Sequence, residues 1–289
     1  MEPNLRHPRA GETQILRSIW SVVFGGRDED LFFSHYYEPA MCLVATHEDV
    51  PVAAGYLLPA GCFRRGFFSV PCEMIYGVAA LSEHRNRGLG SAIVNNLILM
   101  CSGRGSLSIL CPSEDSLFEY YSSRSSLRDC FYMTGQRFDK APPCTRKVVL
   151  TEIPAFEYRL AREILLTGIP HIDFDLRAIT YQSKLCREFG GGLFKASTPD
   201  GLFCAIVEKQ PDGAVWIKEL LTPPAAVESH SDDVLSAIAC LFPSGEYVVR
   251  TPAMFSGAGR RFGMMTDSGG FYDSAPDDPA SPWLGIAFD

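Results

Sequence analysis

The stretch that decides the fold is Ile75-Tyr76-Gly77-Val78-Ala79-Ala80-Leu81-Ser82-Glu83-His84-Arg85-Asn86-Arg87-Gly88-Leu89-Gly90-Ser91. Its first six residues are the end of a long apolar run, residues 69–80, which predicts a central strand. A second apolar run, residues 91–100, predicts a helix. Between the two runs lies the pattern Arg-x-x-Gly-x-Gly. Glycines let the backbone approach an anion closely, and the free N–H groups of a helix start point at it, so this junction predicts a phosphate-binding loop.

Two familiar nucleotide motifs do not fit this junction. A dinucleotide fingerprint would need glycine at position 86, which is Asn86, and a P-loop would need Gly-Lys-Ser/Thr. Three predicted strands also precede the loop, whereas a dinucleotide-binding fold alternates strand and helix from its start. A glycine pair before a helix is also a common turn, so a purely structural loop with another ligand elsewhere is one alternative.

The first half of the chain predicts the element order α-α-β-β-β-α-β-α-β-β, a mixed α/β fold. Spacing of apolar residues and turn signals carry this interpretation. The predicted helices cover residues 12–24, 28–37, 91–100 and 115–123, and the predicted strands cover 41–46, 52–58, 69–80, 107–111, 130–137 and 145–150.

The second half repeats the order α-α-β-β-β-α-β. Its predicted helices cover residues 157–166, 176–189 and 232–242, and its predicted strands cover 193–196, 202–209, 215–221 and 246–251. Self-similarity of this kind predicts two related units, residues 1–150 and 151–289, although one continuous α/β domain is the alternative. Pro223 and Pro224 replace amide donors at the equivalent junction, so the second unit is predicted to lack an anion site.

On the residues of this loop and the order of elements, the first half resembles the GNAT N-acetyltransferase superfamily. The arrangement of an active unit followed by a degenerate one is similar to the Eis-like acetyltransferases. The resemblance implies an enzyme that moves an acetyl group from acetyl-CoA to a primary amine in a ternary complex. In the family, loop amides hold the CoA pyrophosphate and the preceding strand pairs with the pantetheine arm. The cofactor-binding residues implied are Val78, Ala79, Ala80, Arg85, Arg87, Gly88, Leu89, Gly90 and Ser91.

The resemblance also implies catalytic residues. In many members a tyrosine on the helix of residues 115–123 protonates the departing thiolate, and Tyr121, with Tyr120 next, takes that position here. A phenol is protonated at neutral pH and can donate, but adjacent tyrosines on an amphipathic helix are also ordinary core aromatics. Glu73, on the strand that leads to the loop, is the candidate general base, with a solvated strand-end carboxylate as the alternative.

The early helices carry many aromatic side chains, and in the family these helices cover the acceptor pocket. Core packing is the other explanation for most of them. The residues are Trp20, Phe24, Phe32, Phe33, Tyr36 and Tyr37. A contribution of the second half to the acceptor pocket is a further hypothesis.

Composition limits the partners. The net charge of −8 disfavours nucleic-acid binding, and it arises in the second half, which has 11 basic and 19 acidic residues against 15 and 15 in residues 1–150. Ten scattered cysteines without a CxxC pair predict no metal site and a reducing, cytoplasmic compartment, and no apolar run predicts a membrane span. The acceptor is predicted to be a small-molecule amine or a protein lysine. The oligomeric state is open, a homodimer included. A non-catalytic acyl-CoA sensor or partner-binding module is the alternative function.

Overall fold

The computed structural model describes residues 4–140, 142, 148–199, 201–223, 231–252, 259–266 and 281–289. It is a mixed α/β structure, as predicted. The described residues divide into two compact units. The first comprises 4–63, 69–130 and 263–266, and the second comprises 64–68, 131–262 and 281–289 within the described ranges. The predicted division lies at residue 150, whereas the compact units change at residue 130, so the two-domain boundary remains a prediction.

The first unit contains two helices, α1 and α2, ahead of a set of strands. Its elements are β1 (Asn4–Arg6), α1 (Thr13–Phe24), α2 (Glu29–His35), β2 (Cys42–His47), β3 (Val50–Arg65), β4 (Phe68–Ala80), α3 (Leu89–Gly103), β5 (Leu107–Leu110) and α4 (Asp115–Ser122). The strands lie in the order β1-β2-β3-β4-β5. Strands β2 and β3 are antiparallel, and β4 and β5, which flank α3, are parallel.

The core of the first unit forms where α3 packs on the strands. Ile93, Val94, Leu97 and Cys101 are buried on α3 at helical spacing, against Leu57 of β3 and other strand residues. Helix α1 buries Leu16, Ile19 and Trp20 by the same periodicity and ends at Gly25 in the left-handed conformation. The apolar run that predicted α3 supplies its buried face. Of the four residues whose spacing predicted α1, only Ile19 is buried, and Val22 is 68% exposed.

The second unit contains α5, α6 and α7 with most of the remaining strands. Its elements continue from β6 (Leu127–Phe138), which begins in the first unit, through β7 (Leu150–Glu152), α5 (Ala155–Leu165), β8 (His171–Phe174), α6 (Leu176–Glu188), β9 (Gly192–Thr198), β10 (Gly201–Lys209), β11 (Val215–Leu221), α7 (Ser231–Leu241) and β12 (Tyr247–Pro252) to β13 (Arg260–Thr266), whose residues from Gly263 belong to the first unit. Two antiparallel pairings, β9–β10 and β10–β11, are followed by α7 and the parallel pairing β11–β12. From α5 to β12 the elements follow the predicted order α-α-β-β-β-α-β, with β8 added between the first two helices. Their relation to the first unit as a repeat remains a prediction.

The predicted strand ranges differ from the structure at residues 145–150 and do not include β1, β8 or β13. Residues 145–147 lie outside the described residues, and the described strand β7 begins only at Leu150. Strand β8, His-Ile-Asp-Phe, is only four residues long, and its polar side chains are buried together with its apolar ones. Asp173 is tolerated in that strand because Arg64 and Arg159 both contact its carboxylate.

A buried carboxylate holds the second unit together. Glu219 of β11 is fully buried and accepts hydrogen bonds from Tyr158 Oη at 2.7 Å, Trp283 Nε1 at 2.6 Å and Arg162 Nε at 3.1 Å. The Arg162 guanidinium is itself only 1% exposed and also donates to the carbonyl oxygens of Ile172 and Leu284. One ion pair thus connects α5, β11 and the residues around 283.

Glu219→Gln is expected to lower the free energy of unfolding by about 3 kcal/mol, because the buried Arg162 charge then keeps only its 3.7 Å ion pair with the partly exposed Glu163. Glu246→Gln is the matched control, since Glu246 pairs at 2.7 Å with Arg137 on the surface, where a salt bridge contributes less than about 1 kcal/mol. Urea unfolding of both variants measures the difference. Equal shifts would contradict the assigned role of Glu219.

Candidate active site

Strands β4 and β5 separate partway along β4. Their parallel pairing runs from Cys72, opposite Leu107, to Ile75, opposite Leu110, where β5 ends. Strand β4 continues to Ala80. Five residues of β4 therefore extend beyond its pairing with β5.

Gly77 marks the point of separation. Its φ of 57° is in the left-handed region, which favours glycine. A Cβ atom at this position would lie 2.6 Å from a ring carbon of Trp20 and 3.1 Å from a ring carbon of Tyr56, both too close. Only glycine lets the aromatic side chains lie against this backbone, and a glycine in left-handed conformation within a strand bends it as a bulge does.

The backbone of β4 beyond Gly77 presents alternate residues to its two edges. Leu81 N–H donates to Val52 O of β3 at 3.0 Å, so Leu81 and Ala79 face β3. Val78 and Ala80 consequently direct their N–H and C=O groups to the opposite edge, beyond the end of β5. Arg85 Nε donates to Ala80 O at 3.1 Å. Ala79 is buried and faces β3, so the structure does not bring this predicted cofactor contact to the open edge.

The glycine loop leads directly into α3. Asn86 and Gly88 adopt left-handed conformations, with φ of 60° and 75°, and Gly88 is the N-cap residue of α3. No side chain caps this helix start, and Ser91 Oγ instead donates to Gly88 O at 3.0 Å. The amides of Leu89, Gly90 and Ser91 therefore lie at the positive end of the helix dipole with no capping carboxylate or hydroxyl.

The two arginines of the loop stabilise its shape. Arg87 Nη2 donates to Glu83 O at 3.2 Å, one turn back along the chain, and Arg85 is bonded to Ala80 as described above. Both side chains are exposed. They add positive charge beside the start of α3, which suits a phosphate group.

The two candidate tyrosines occupy different environments. Tyr121 is buried in the core of the first unit, and this burial raises its pKa to about 12. Tyr120 is half-buried, and its Oη lies 3.8 Å from the position that a Cβ on Gly90 would occupy. Val78 Cγ1 lies 4.0 Å from that same position. Of the two, Tyr120 is the one whose hydroxyl the structure brings to the glycine loop and the open edge of β4.

Glu73 lies in the paired part of β4, opposite Ser108 of β5. Its carboxylate accepts a hydrogen bond from Arg104 Nε at 2.8 Å and a second from Arg104 Nη2. Cys101 Sγ donates to the same group at 3.6 Å. The side chain is 8% exposed and joins β4 to the last turn of α3, so it would have to leave its arginine before it could take a proton from an amine.

Trp20, Tyr76 and Asp28 form a further hydrogen-bonded group next to Gly77. Trp20 Nε1 donates to Asp28 Oδ1 at 3.0 Å, and Tyr76 Oη donates to Asp28 Oδ2 at 3.5 Å. Asp28 is not among the site residues predicted from the sequence. The one available signal was the glycine inside an apolar strand, which indicates a bulge or a close approach.

Comparison with known proteins identifies the first unit. Residues 4–124 match the family model described as an acetyltransferase (GNAT) domain. Residues 4–124 are a GNAT acetyltransferase domain. This match confirms the predicted GNAT resemblance and the prediction of a GNAT-type enzyme. It ends before residue 131, where the main segment of the second unit begins.

Solved GNAT structures share the fold over both units. A GCN5-related N-acetyltransferase from Anabaena variabilis superposes with a TM-score of 0.66 at 13% identity, covering 91% of this chain and 72% of that one. Eis1 from Mycobacterium abscessus gives 0.59 at 11% identity, covering 91% and 73%. A GCN5-related N-acetyltransferase from Sphaerobacter thermophilus gives 0.54 at 11% identity, covering 91% and 94%. The coverage confirms the predicted mixed α/β GNAT fold and extends over residues of both units. The assignment of the second unit as GNAT-like remains a prediction. No curated protein matches the sequence.

The described residues contain neither a candidate metal site nor a helix suited to cross a membrane. Among the described ranges, no group of three or more His, Cys, Asp or Glu side chains is arranged to hold a metal ion. In the same part of the chain, every helix is too short or too polar to cross a membrane.

Gly77→Ala is expected to lower the free energy of unfolding by about 2 kcal/mol or more, because a left-handed non-glycine residue alone costs roughly 1–2 kcal/mol and the added Cβ also meets Trp20. Gly103→Ala, at the end of α3 in open space, is the control and is expected to be neutral or stabilising. Thermal or urea unfolding measures both. A neutral Gly77→Ala would show that the close approach is not required.

Proposed function

We propose that the first unit transfers an acetyl group from acetyl-CoA to a primary amine by direct attack in a ternary complex. The observation that carries the proposal is that the start of α3, which no side chain caps, is continuous with the edge of β4 beyond β5, where no described strand pairs with Val78 and Ala80. Of these backbone groups, Ala80 O accepts a hydrogen bond from Arg85. A ligand that needs both the helix start and the strand edge is an anion attached to an arm containing amides. CoA has this construction, with a pyrophosphate joined to a pantetheine arm.

The dimensions of the two surfaces suit such a ligand. The pyrophosphate accepts hydrogen bonds from the amides of Arg87 to Ser91, and the pantetheine amides pair with Val78 and Ala80 as an added strand would. Three residues of strand, from Ala80 back to Gly77, span about 10 Å. This direction carries the thioester away from the loop and toward Gly77 and the aromatic side chains around it.

The chemistry then needs a proton acceptor and a proton donor. The acceptor's ammonium group first gives a proton to water, the neutral nitrogen attacks the thioester carbonyl carbon and passes a second proton to water, and the C–S bond breaks to release a thiolate. We assign the proton that this thiolate takes to Tyr120, which regains one from water, because its hydroxyl and the Val78 side chain of the open edge both lie within 4.0 Å of the Cβ position of Gly90. Tyr121 then packs in the core and keeps the α4 helix in place. No step is assigned to Glu73, whose carboxylate is held by Arg104.

The acceptor class and the cellular setting are part of the same proposal. We propose a small-molecule amine or a protein lysine as acceptor, in the cytoplasm, where the nine described cysteines, all free thiols, remain reduced. The second unit, which lacks the glycine loop in its sequence, is proposed to be without a CoA site of its own.

Gly88→Glu is expected to abolish the thermal stabilisation by acetyl-CoA, because a carboxylate would stand where the pyrophosphate binds. Gly105→Glu is the matched control. Gly105 is also exposed and left-handed, with φ of 71°, and lies beyond the opposite end of α3. Both variants carry the same charge and the same backbone strain, so only Gly88→Glu should lose the shift in melting temperature. If neither wild type nor control is stabilised by acetyl-CoA, the proposal is wrong.

Tyr120→Phe is expected to lower kcat by about 100-fold with any accepted amine, the lower range for loss of a general acid, while acetyl-CoA binding is retained. Tyr121→Phe is the matched control and should keep kcat within a few-fold. Release of free thiol measures turnover. A larger loss in Tyr121→Phe would restore Tyr121 as the acid, and CoA binding without acceptor-dependent thiol release would favour the sensor.

A further inference from the structure

Asp28 is a half-buried carboxylate at the point where β4 leaves β5. It follows α1 and immediately precedes α2. Trp20, which donates to one of its oxygens, lies directly over Gly77, and Tyr76, which donates to the other, is the residue just before Gly77. The carboxylate is therefore fixed beside the bend of β4 by two elements, a helix and a strand.

Both of its hydrogen-bond donors are neutral. In the described residues no Lys, Arg or His nitrogen lies within 4.0 Å of the Asp28 carboxylate, although its neighbours Glu29 and Asp30 both pair with Arg17. A carboxylate offers about four lone-pair directions, and the two donors use two of them. Asp28 thus retains acceptor capacity that no protein cation fills in this part of the structure.

Aromatic side chains pack beside Asp28 and make its surroundings partly apolar. Trp20, Phe32 and Tyr56 pack against one another, with ring centroids 4.4 Å apart for Trp20–Phe32 and 4.9 Å for Phe32–Tyr56. This packing keeps in place the Trp20 indole, which donates a hydrogen bond to Asp28. A charge in such partly apolar surroundings attracts a counter-ion more strongly than a fully exposed charge does.

We propose that Asp28 binds the acceptor amine in its ammonium form and holds the nitrogen near the thioester, where it loses a proton to water before it attacks, with Trp20 and Tyr76 as positioning residues. This inference rests on the proposed function, because the direction of the pantetheine arm along β4 brings the thioester to Gly77. Asp28 recognises the acceptor and is not required for binding of acetyl-CoA.

The proposal selects among acceptor classes. An amine that carries a carboxylate on the adjacent carbon brings a second negative charge toward Asp28 and is disfavoured by like-charge repulsion. An amine at the end of an alkyl chain brings only its positive charge. The acceptors predicted are therefore primary alkylamines, lysine side chains and polyamines, and α-amino acids are predicted to be poor substrates.

Asp28→Asn keeps the size and two of the hydrogen-bonding directions of the side chain and removes its charge. It is expected to raise KM for putrescine and for Nα-acetyl-lysine amide by about 10- to 100-fold, the range for a lost hydrogen bond to a charged group. The stabilisation by acetyl-CoA should stay as in wild type. The ratio of kcat/KM for putrescine over glycine should fall by a similar factor, because glycine loses its repulsion.

Asp30→Asn is the matched control. Asp30 lies two residues away, is 96% exposed on its side chain and pairs with Arg17, and its loss should leave both KM values unchanged. Trp20→Phe keeps an aromatic ring and removes the donor to Asp28, and a rise of about 3- to 10-fold in KM for amines is expected from loss of one positioning hydrogen bond. It provides a second test if Asp28→Asn does not fold.

The outcomes separate the two proposals. An active wild type whose amine KM and amine preference are unchanged in Asp28→Asn and in Trp20→Phe overturns this inference and leaves the acetyltransferase function standing. Loss of acetyl-CoA binding in Asp28→Asn also overturns it. A wild type that binds acetyl-CoA but acetylates none of the amines overturns the proposed function and this inference together.

Discussion

The separation of β4 from β5 at Gly77 is the constraint on which the candidate site depends. Without a neighbour beyond Ile75, the Val78 and Ala80 backbone groups have an edge available to a ligand. The bend is possible because Gly77 has no side chain and adopts a left-handed conformation. The same close approach places Trp20 at the bend, and through Trp20 it places Asp28. Gly77 thus determines the position of both the proposed acyl-CoA edge and the proposed amine-binding residue.

In the second unit, buried side chains of the chain itself lie at the corresponding part of strand β11, beyond its parallel pairing. Strand β11 also extends beyond its parallel pairing, which ends at Ile217 opposite Val249. Glu219, two residues further along, is fully buried and bonded to Tyr158, Arg162 and Trp283. The chain's own side chains therefore satisfy this part of β11, and the two following prolines remove amide donors at the point where the first unit has its glycine loop. The two units share an order of elements, but the sequence of the second lacks the glycine loop that is proposed to bind an anion in the first.

Much of the fold could be predicted from the sequence because periodicity and turn residues are local signals. Helix α1 followed from the spacing of Ile15, Ile19, Val22 and Val23, with Gly25-Gly26 at its end, and the two hairpins of the second unit followed from their turns at 199–201 and 211–213. Strand β8 was missed because its stability depends on Arg64 and Arg159, which are distant in sequence. The glycine loop was predictable for the same local reason as the helices, since its residues are contiguous.

The rest of the site depends on contacts that no local pattern contains. Tyr120 and Tyr121 are adjacent, and only their packing shows that one faces the core and the other Gly90. Glu73 was a reasonable base by position in the strand, yet its partner Arg104 is 31 residues away. Asp28 had no motif at all, because its role arises from two aromatic donors brought together by the bend in β4.

Amide hydrogen exchange, followed residue by residue with and without acetyl-CoA, reports which backbone groups the ligand engages. New protection is expected at Val78, at Ala80 and from Arg87 to Ser91. No gain is expected at Ala79, whose backbone already faces β3. Protection confined to other parts of the chain, or equal gains at Ala79 and its two neighbours, would contradict the assignment of this edge and loop as the acyl-CoA site.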